Sequence, residues 1–166
     1  MKYENEYGDQ CLNESKILDK LKDIPNIPRV IYFDNTINET IYISEPFGID
    51  FINAINLFQI NLQDLKKYKD QLITILKNIH QREVVHMDIK PENLILFEDQ
   101  LYLIDFGLSC KINKKRKGFF GTKAFASENA LKRNSLCIPQ DDFISVKLTF
   151  QELNKIIKKR DYIYDY

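Results

Sequence analysis

Glycine is scarce in this sequence: five residues in 166, none of them in a G-x-G arrangement. A glycine-rich loop that cradles an anion on successive backbone N–H groups is therefore not encoded within it. Cysteine is scarcer still. Cys11, Cys110 and Cys137 are odd in number and widely spaced. They match no zinc-ligand spacing, and no disulfide framework is expected, which points to a reducing interior compartment. Tryptophan is absent, and no apolar run approaches the ~18 residues that a membrane-spanning helix needs. The opening "MKYENEYGD" is polar and acidic-leaning, so no signal peptide is expected. Excess charge is also missing, because 24 basic residues offset 24 acidic ones. Bulk electrostatics thus predict neither a nucleic-acid nor a membrane partner. There is no internal repeat. What remains is a 44% apolar chain of single-domain length, long enough to bury a core.

Apolar spacing predicts the elements. "CLNESKILDKL" places Leu12, Ile17, Leu18 and Leu21 on one side of a short helix that must end before Pro25 and Pro28. "RVIYFD" and "ETIYIS" read as strands joined by the turn "NTIN". "GIDFINAINLF" reads as a short helix. "LQDLKKYKDQLITILKNIHQR" reads as a long one, with Leu65, Tyr68, Leu72, Ile75, Leu76 and Ile79 in a single stripe. "NLILF" and "LYLID" are expected to pair around "EDQ", residues 105–126 to be loop, and "DDFISVKLTFQELNKIIKK" to be a last helix. That helix carries apolar residues around most of its circumference, as a helix built for burial does. Strands and helices are segregated, so the fold class is α+β.

The chemistry concentrates in "HMDIKPENLIL", residues 86–96, and "IDFG", residues 104–107. Asp88 and Asn93 stand five apart in a loop pinned by Pro91, and Asp105 follows the strand pair. A carboxylate and an amide meeting at the edge of a hairpin suit Mg²⁺, a hard cation that takes oxygen ligands and shares its shell with phosphates. Asp88 is then left to accept a proton from a hydroxyl, and Lys90 to neutralise a phosphoryl group in transfer. Loops also carry Asp, Asn, Lys and Pro simply because they turn. The joint pattern H-x-D-x-K-x-x-N followed by D-F-G is far more specific than any one of its members.

With that pattern the sequence resembles the eukaryotic protein kinase catalytic domain. The resemblance implies ATP and Mg²⁺ as cofactors and a phosphoryl transfer to a protein hydroxyl. It makes Asp88 the catalytic base, Lys90 the phosphate-contacting lysine typical of serine/threonine kinases, and Asn93 and Asp105 the metal ligands. "GT" at 121–122 matches the end of the activation segment, which brings in Thr122, and Asp142 matches the aspartate that braces the catalytic loop. His80 is expected to be structural, at a helix end. "GTKAFASEN", "NESKILDKLKDIPNIPRVIYF" and "DDFIS" are each similar to casein kinase 1 segments.

Under the same resemblance, Lys2 lines up with the ATP-anchoring lysine and Glu14 with its partner. Their ion pair is expected to be of the surface type unless it is covered. "ISEPFG" matches the hinge, with Ser44 as gatekeeper, the Glu45 carbonyl and Phe47 N–H facing adenine, and Ile95 beneath the ring. Residues 1–44 then form a partial small lobe, 45–48 the hinge and 49–166 a partial helical large lobe. The expectation is a kinase domain truncated at both ends, with any glycine-rich loop upstream of Met1.

The departures carry implications too. Met87 replaces the arginine that in the family pairs with an activation-loop phosphate, so switching by phosphorylation there is not expected. Glu128 and Asn129 replace the usual P-E, so the ion pair made by that glutamate is lost. The basic run Lys114–Lys117 lies inside the activation segment. It reads as a solvated loop, as a site for acidic or already phosphorylated protein substrates, or as a nuclear-import signal, so the expected location is cytoplasmic or nuclear. Two other classes stand beside the protein kinase: a pseudokinase or interaction module that keeps the fold, and a small-molecule phosphotransferase, which shares H-x-D-x-x-x-x-N. Self-association through an exposed face of the last helix is also expected.

Overall fold

The computed structural model describes residues 2–4, 10–35 and 40–164, with the backbone alone for 2–4, 35, 40 and 164. The expected turn "NTIN" falls largely outside the described residues.

A first antiparallel sheet is built from β1 (Lys2–Glu4), β2 (Arg29–Asn35) and β3 (Thr40–Glu45) in the order β1-β3-β2. Helix α1 (Gln10–Lys20) packs against β2 and β3. Its buried residues Cys11, Glu14 and Leu18 fall three and four apart, so one stripe of a short helix faces the strands. That a glutamate belongs to this stripe already marks it as partnered, because an unpaired buried carboxylate costs several kcal/mol.

Beyond Glu45 the chain forms β4 (Ile49–Asp50), α2 (Phe51–Leu57) and α3 (Leu62–Gln81). Then come β5 (Val84–Val85), β6 (Leu94–Phe97), β7 (Gln100–Leu103) and β8 (Cys110–Lys111), and last α4 (Glu128–Leu131) and α5 (Pro139–Tyr164). Helix α3 starts at a reciprocal cap. Asn61 accepts from the N–H groups of Gln63 and Asp64, and the Asp64 side chain returns to the Asn61 N–H. Its buried stripe is the one expected, Leu65 through Ile79, and it packs on α5 and β7. Strands β6 and β7 pair through a two-residue turn in which Glu98 and Asp99 both have positive φ, the twist that suits a tight hairpin. One apolar core joins Leu18 and Leu21, next to the first sheet, to Phe51, Leu72, Leu76, Leu94, Phe106 and Leu153.

The architecture is α+β with segregated elements, as expected. Three details differ. The segment read as a helix from Gly48 begins as strand β4, paired with β6, because Asp50 caps α2 through the Asn53 N–H and the helix cannot extend back past its cap. Residues 105–126 are not all loop, since β8 pairs with β5. The cysteines are not all unpaired: Cys110 and Cys137 form a disulfide. Three backbone bonds bring these distant residues together. Asn113 N donates to Cys137 O at 2.8 Å, Cys137 N to Lys114 O at 3.0 Å and Arg116 N to Ser135 O at 2.8 Å. Composition alone gave no sign of this ladder.

Helix α5 keeps an apolar face outside the core, as expected. It buries one stripe, Val146, Phe150, Leu153 and Ile157, while Phe143 and Ile144 stay 37% and 42% exposed.

Candidate active site

Residues 86–93 leave β5 and turn over the start of α5, where one carboxylate holds them. Asp142 is fully buried. Its Oδ2 accepts from His86 N at 2.8 Å and sits 2.8 Å from His80 Nε2, and its Oδ1 accepts from Met87 N at 2.9 Å. The expected brace is thus present, and His80, in the last turn of α3, orients it from the far side. His86 is buried too. Its Nε2 donates to Ile104 O at 3.1 Å, its Nδ1 accepts from Asp88 N at 3.3 Å, and its ring packs edge-on against Phe106. Met87 takes a left-handed conformation, φ 72°, and so does Asp105, φ 65°. Such backbone costs about 1–3 kcal/mol per residue, offset here by the bonds on either side of Met87.

Asp88, Lys90, Asn93 and Thr122 converge. Asp88 is 8% exposed. Its Oδ1 accepts from Thr122 N at 2.9 Å, and its Oδ2 accepts from Lys90 Nζ at 2.8 Å. Lys90 Nζ also reaches Thr122 Oγ1 at 3.1 Å. Asn93 Nδ2 donates to Asp88 O at 2.8 Å and lies 3.3 Å from Asp88 Oδ2. Fixing the amide nitrogen in this way makes the amide oxygen the atom of Asn93 that suits a hard cation. Ile104 N donates to Asn93 O at 3.0 Å, which seats Asp105 beside Asn93. The donor set is therefore one amide and one carboxylate oxygen. That fits Mg²⁺, which keeps waters and substrate phosphates in its shell and rarely takes a full protein cage.

Glu14 differs from its expectation as a surface partner. It is 1% exposed and accepts from Phe106 N at 2.9 Å, 92 residues away. The Tyr42 hydroxyl also bonds it, and burial followed by the Glu14 charge pushes the Tyr42 phenol far above its ordinary range. Helix α1 is in this way tied to the D-F-G turn and to the middle of the first sheet. Lys2 lies opposite Tyr42 in the sheet register. Its side chain, and with it the expected ion pair, lies outside the described residues.

In the segment matched to a hinge, Glu45 closes β3 and pairs through its side chain with Arg29. Phe47 is 93% exposed, and Ile95 is buried in β6. A Cβ on Gly48 would lie 2.6 Å from Leu96 O. Only glycine lets the chain pass that close to β6, so Gly48 sets the approach of 46–48 to the strand that carries Ile95.

Some residues of the site gave no sequence signal. Asp141, 2% exposed, is held by Ser127 Oγ at 2.5 Å and by Asn129 Nδ2 at 2.9 Å. These neutral donors sit next to exposed Glu128 and tie the end of the activation segment to α5. Thr149 Oγ1 donates to Ile89 O at 3.2 Å, and Ser109 Oγ to His86 O at 3.2 Å. Each acts across a long sequence separation, and the residue types are ordinary. In the basic run Lys114, Lys115 and Lys117 are exposed, as in a solvated loop, while Arg116 is 8% exposed.

Residues 1–157 match the family model for the protein kinase domain. The chain is similar to the dyrk2 serine/threonine-protein kinase of Dictyostelium discoideum, 28% identical over 142 residues. It is 32% identical over 116 residues to serine/threonine-protein kinase 1 of African swine fever virus, and 27% identical over 115 residues to mitogen-activated protein kinase pmk-1 of Caenorhabditis elegans. These alignments take in 79%, 66% and 69% of this chain but only 16%, 39% and 29% of the respective relatives. None of the three is a casein kinase 1, so the subtype resemblance draws no support from them. A buried catalytic-type loop, a D-F-G turn fastened to α1 and a match along nearly the whole sequence agree: this chain belongs to the protein kinase domain family.

Proposed function

We propose that the protein transfers the γ-phosphoryl group of ATP to a serine or threonine hydroxyl of a polypeptide. The observation that carries this is the contact of Asp88 with Lys90, Asn93 and Thr122. Asp88 accepts the proton of the incoming hydroxyl. Its carboxylate is aimed by Thr122 N on one oxygen and by Lys90 on the other, so little reorganisation is needed at reaction. Lys90 bears its charge toward the oxygen from which the proton leaves and toward the moving phosphoryl group. Asn93 and Asp105 would hold Mg²⁺, which, when bound, neutralises charge on the phosphates of ATP. Glu45, Phe47 and Ile95 would receive the adenine, and Lys2, with Glu14 as its helix partner, would contact the phosphates. The grouping of Lys90 with Thr122 favours a protein acceptor. So does a cavity of about 530 Å³ beside the catalytic loop, bordered by Glu92, Phe125 and Leu148. A casein kinase 1-like preference for acidic or phosphorylated substrates rests on the "GTKAFASEN" segment and the basic run alone.

Two substitutions separate the roles. Asp105→Asn should remove Mg²⁺-dependent nucleotide binding, measured by calorimetry. Asp88→Asn should leave that binding in place and lower transfer to casein by ~10²–10⁴-fold, the usual worth of a positioned base. Transfer at the wild-type rate by the Asp88→Asn protein would refute the assignment.

A further inference from the structure

The Cys110–Cys137 bond closes a span of 27 residues. Thr122 lies inside that span, so the closed loop is the segment that delivers Thr122 to Asp88. Both anchors of the loop adjoin the catalytic loop. Cys110 pairs with Val85, the residue before His86, and Cys137 stands two residues before α5, whose Asp142 holds His86 and Met87. Around the sulfurs lies a small apolar cluster of Val85, Met87 and Ala130, separate from the main core. Met87 occupies the position of the family's arginine, so a charge that could bind a phosphate is replaced by an apolar contact. The loop is held closed by this cluster, the three backbone bonds between 113–116 and 135–137, the Ser127 and Asn129 bonds to Asp141, and the disulfide.

The two sulfurs differ in access. Cys137 is fully buried. Cys110 is 7% exposed and borders a cavity of about 930 Å³. Lys16, Lys114, Lys115, Arg116 and Lys117 line that cavity, and among the described residues no carboxylate does. In a chain whose formal charges cancel, such a wall is a local concentration of cations, which favours the thiolate form of an entering thiol and of a cysteine set free. Among the described residues, Arg116 Nη1 is buried without a hydrogen-bond partner.

We propose that Cys110–Cys137 is a redox modification site, opened by a dithiol reductant that enters through the basic cavity, and that its state sets the order of residues 110–137. A thiolate of the dithiol attacks Cys110 Sγ, forms a mixed disulfide and expels the Cys137 sulfur as a thiolate, which takes a proton. The second thiol of the reagent then attacks its own sulfur in the mixed disulfide and releases Cys110. The protein gains two electrons and two protons, and the dithiol leaves as a disulfide. Once open, the loop keeps its three backbone bonds, the Ser127 and Asn129 bonds to Asp141 and a few apolar contacts, but it loses its covalent closure, and Thr122 is held less firmly on Asp88. The effect on transfer rests on the kinase reading, whereas the effect on loop order does not.

The test uses the full chain, with dithiothreitol as the reductant. Protein purified without reductant, then denatured and alkylated, should label at Cys11 alone by mass spectrometry. After dithiothreitol all three cysteines should label. Amide hydrogen exchange at 113–116 and 135–137 should accelerate at least ~10-fold on reduction, as local opening becomes easier. Phosphoryl transfer should fall roughly tenfold or more as Thr122 loses its place. Cys137→Ser should exchange like the reduced chain, and if that variant does not fold, the reduced wild type supplies the comparison. The exchange arm is repeated on Asp88→Asn, where the same acceleration is expected although transfer is already lowered ~10²–10⁴-fold. Labelling of all three cysteines without reductant, or exchange that ignores reduction, overturns the proposal. Equal transfer by both redox states overturns the link to Thr122. Absence of transfer in both states sinks the kinase reading, and exchange then decides the redox site by itself.

Discussion

At the scale of single residues, Glu14 shows how much work a buried carboxylate can take on once it has partners. It accepts from Phe106 N and from the Tyr42 hydroxyl, so one side chain fixes α1 to the D-F-G turn and to the first sheet. Tyr42→Phe removes one bond to a charged group, and a loss of about 1.5–3 kcal/mol in chemical denaturation is expected. A loss under ~0.5 kcal/mol would show that the hydroxyl matters little. The same tyrosine predicts a pH dependence. Burial and the Glu14 charge raise its pKa above the ordinary 10.0, so the folded state keeps the proton that the unfolded chain gives up. The stabilisation is complete below pH 10 and declines as pH rises past it, by up to ~1.4 kcal/mol per pH unit for one proton. Tyr68, raised by burial and Asp99, adds to the slope. Tyr42→Phe should flatten the alkaline limb by about one proton, and an unchanged limb would contradict this origin. Asp88, Lys90, Asn93 and Asp105 were legible in the sequence because their chemistry is packed into two motifs of fixed offset. Tyr42 and Asp141 were not. Nothing in a tyrosine or an aspartate announces a partner that only the fold brings near.

Among the elements, legibility followed length. Helix α3 declared itself through a stripe that runs from Leu65 to Ile79, and β6 and β7 through dense apolar runs. Strands β4 and β8 have two residues each, too few for any period to show, and they were read as helix and loop. The disulfide depends on one of these short strands and was missed with it. Yet β4 positions the segment matched to a hinge. At its head Gly48 passes so near Leu96 O that a methyl group would lie at 2.6 Å from it, against backbone that cannot swing aside. Gly48→Ala should push β4 off β6 and cost about 1–3 kcal/mol, as overpacking does. Asn61→Ala, at the α3 cap, should cost about 1 kcal/mol and leave nucleotide binding unchanged. The discriminating measurement is calorimetry with Mg-ATP beside a denaturation curve. Gly48→Ala should weaken nucleotide binding as well as stability. Equal affinities in the two variants would mean that β4 does not set the nucleotide site.

For the molecule as a whole, the unsettled balance lies between one well-filled core and the apolar residues left outside it. Helix α5 sends Val146, Phe150, Leu153 and Ile157 inward. It leaves Phe143, Ile144 and, near its end, Ile163 in contact with water, with Leu131 and Leu136 exposed just before it. Tyr162 does not fold back to cover this face, since it is 67% exposed; the Tyr164 side chain and Tyr166 fall outside the described residues. A second apolar area lies on the first sheet, where Tyr32 faces Ile43 across the strands and both are largely exposed. Single exposed apolar side chains mean little, but grouped ones mark association surfaces. Self-association at micromolar concentration is therefore expected, visible as a rise in scattering mass with concentration. Ile144→Lys places a charge on the α5 face, and Ile43→Lys places one on the sheet. If α5 carries the contact, the first substitution restores a monomer and the second does not. The reverse result would move the contact to the sheet. A wild-type chain that stays monodisperse across the range, melts cooperatively and binds no hydrophobic dye would show that neither face is sticky enough to matter.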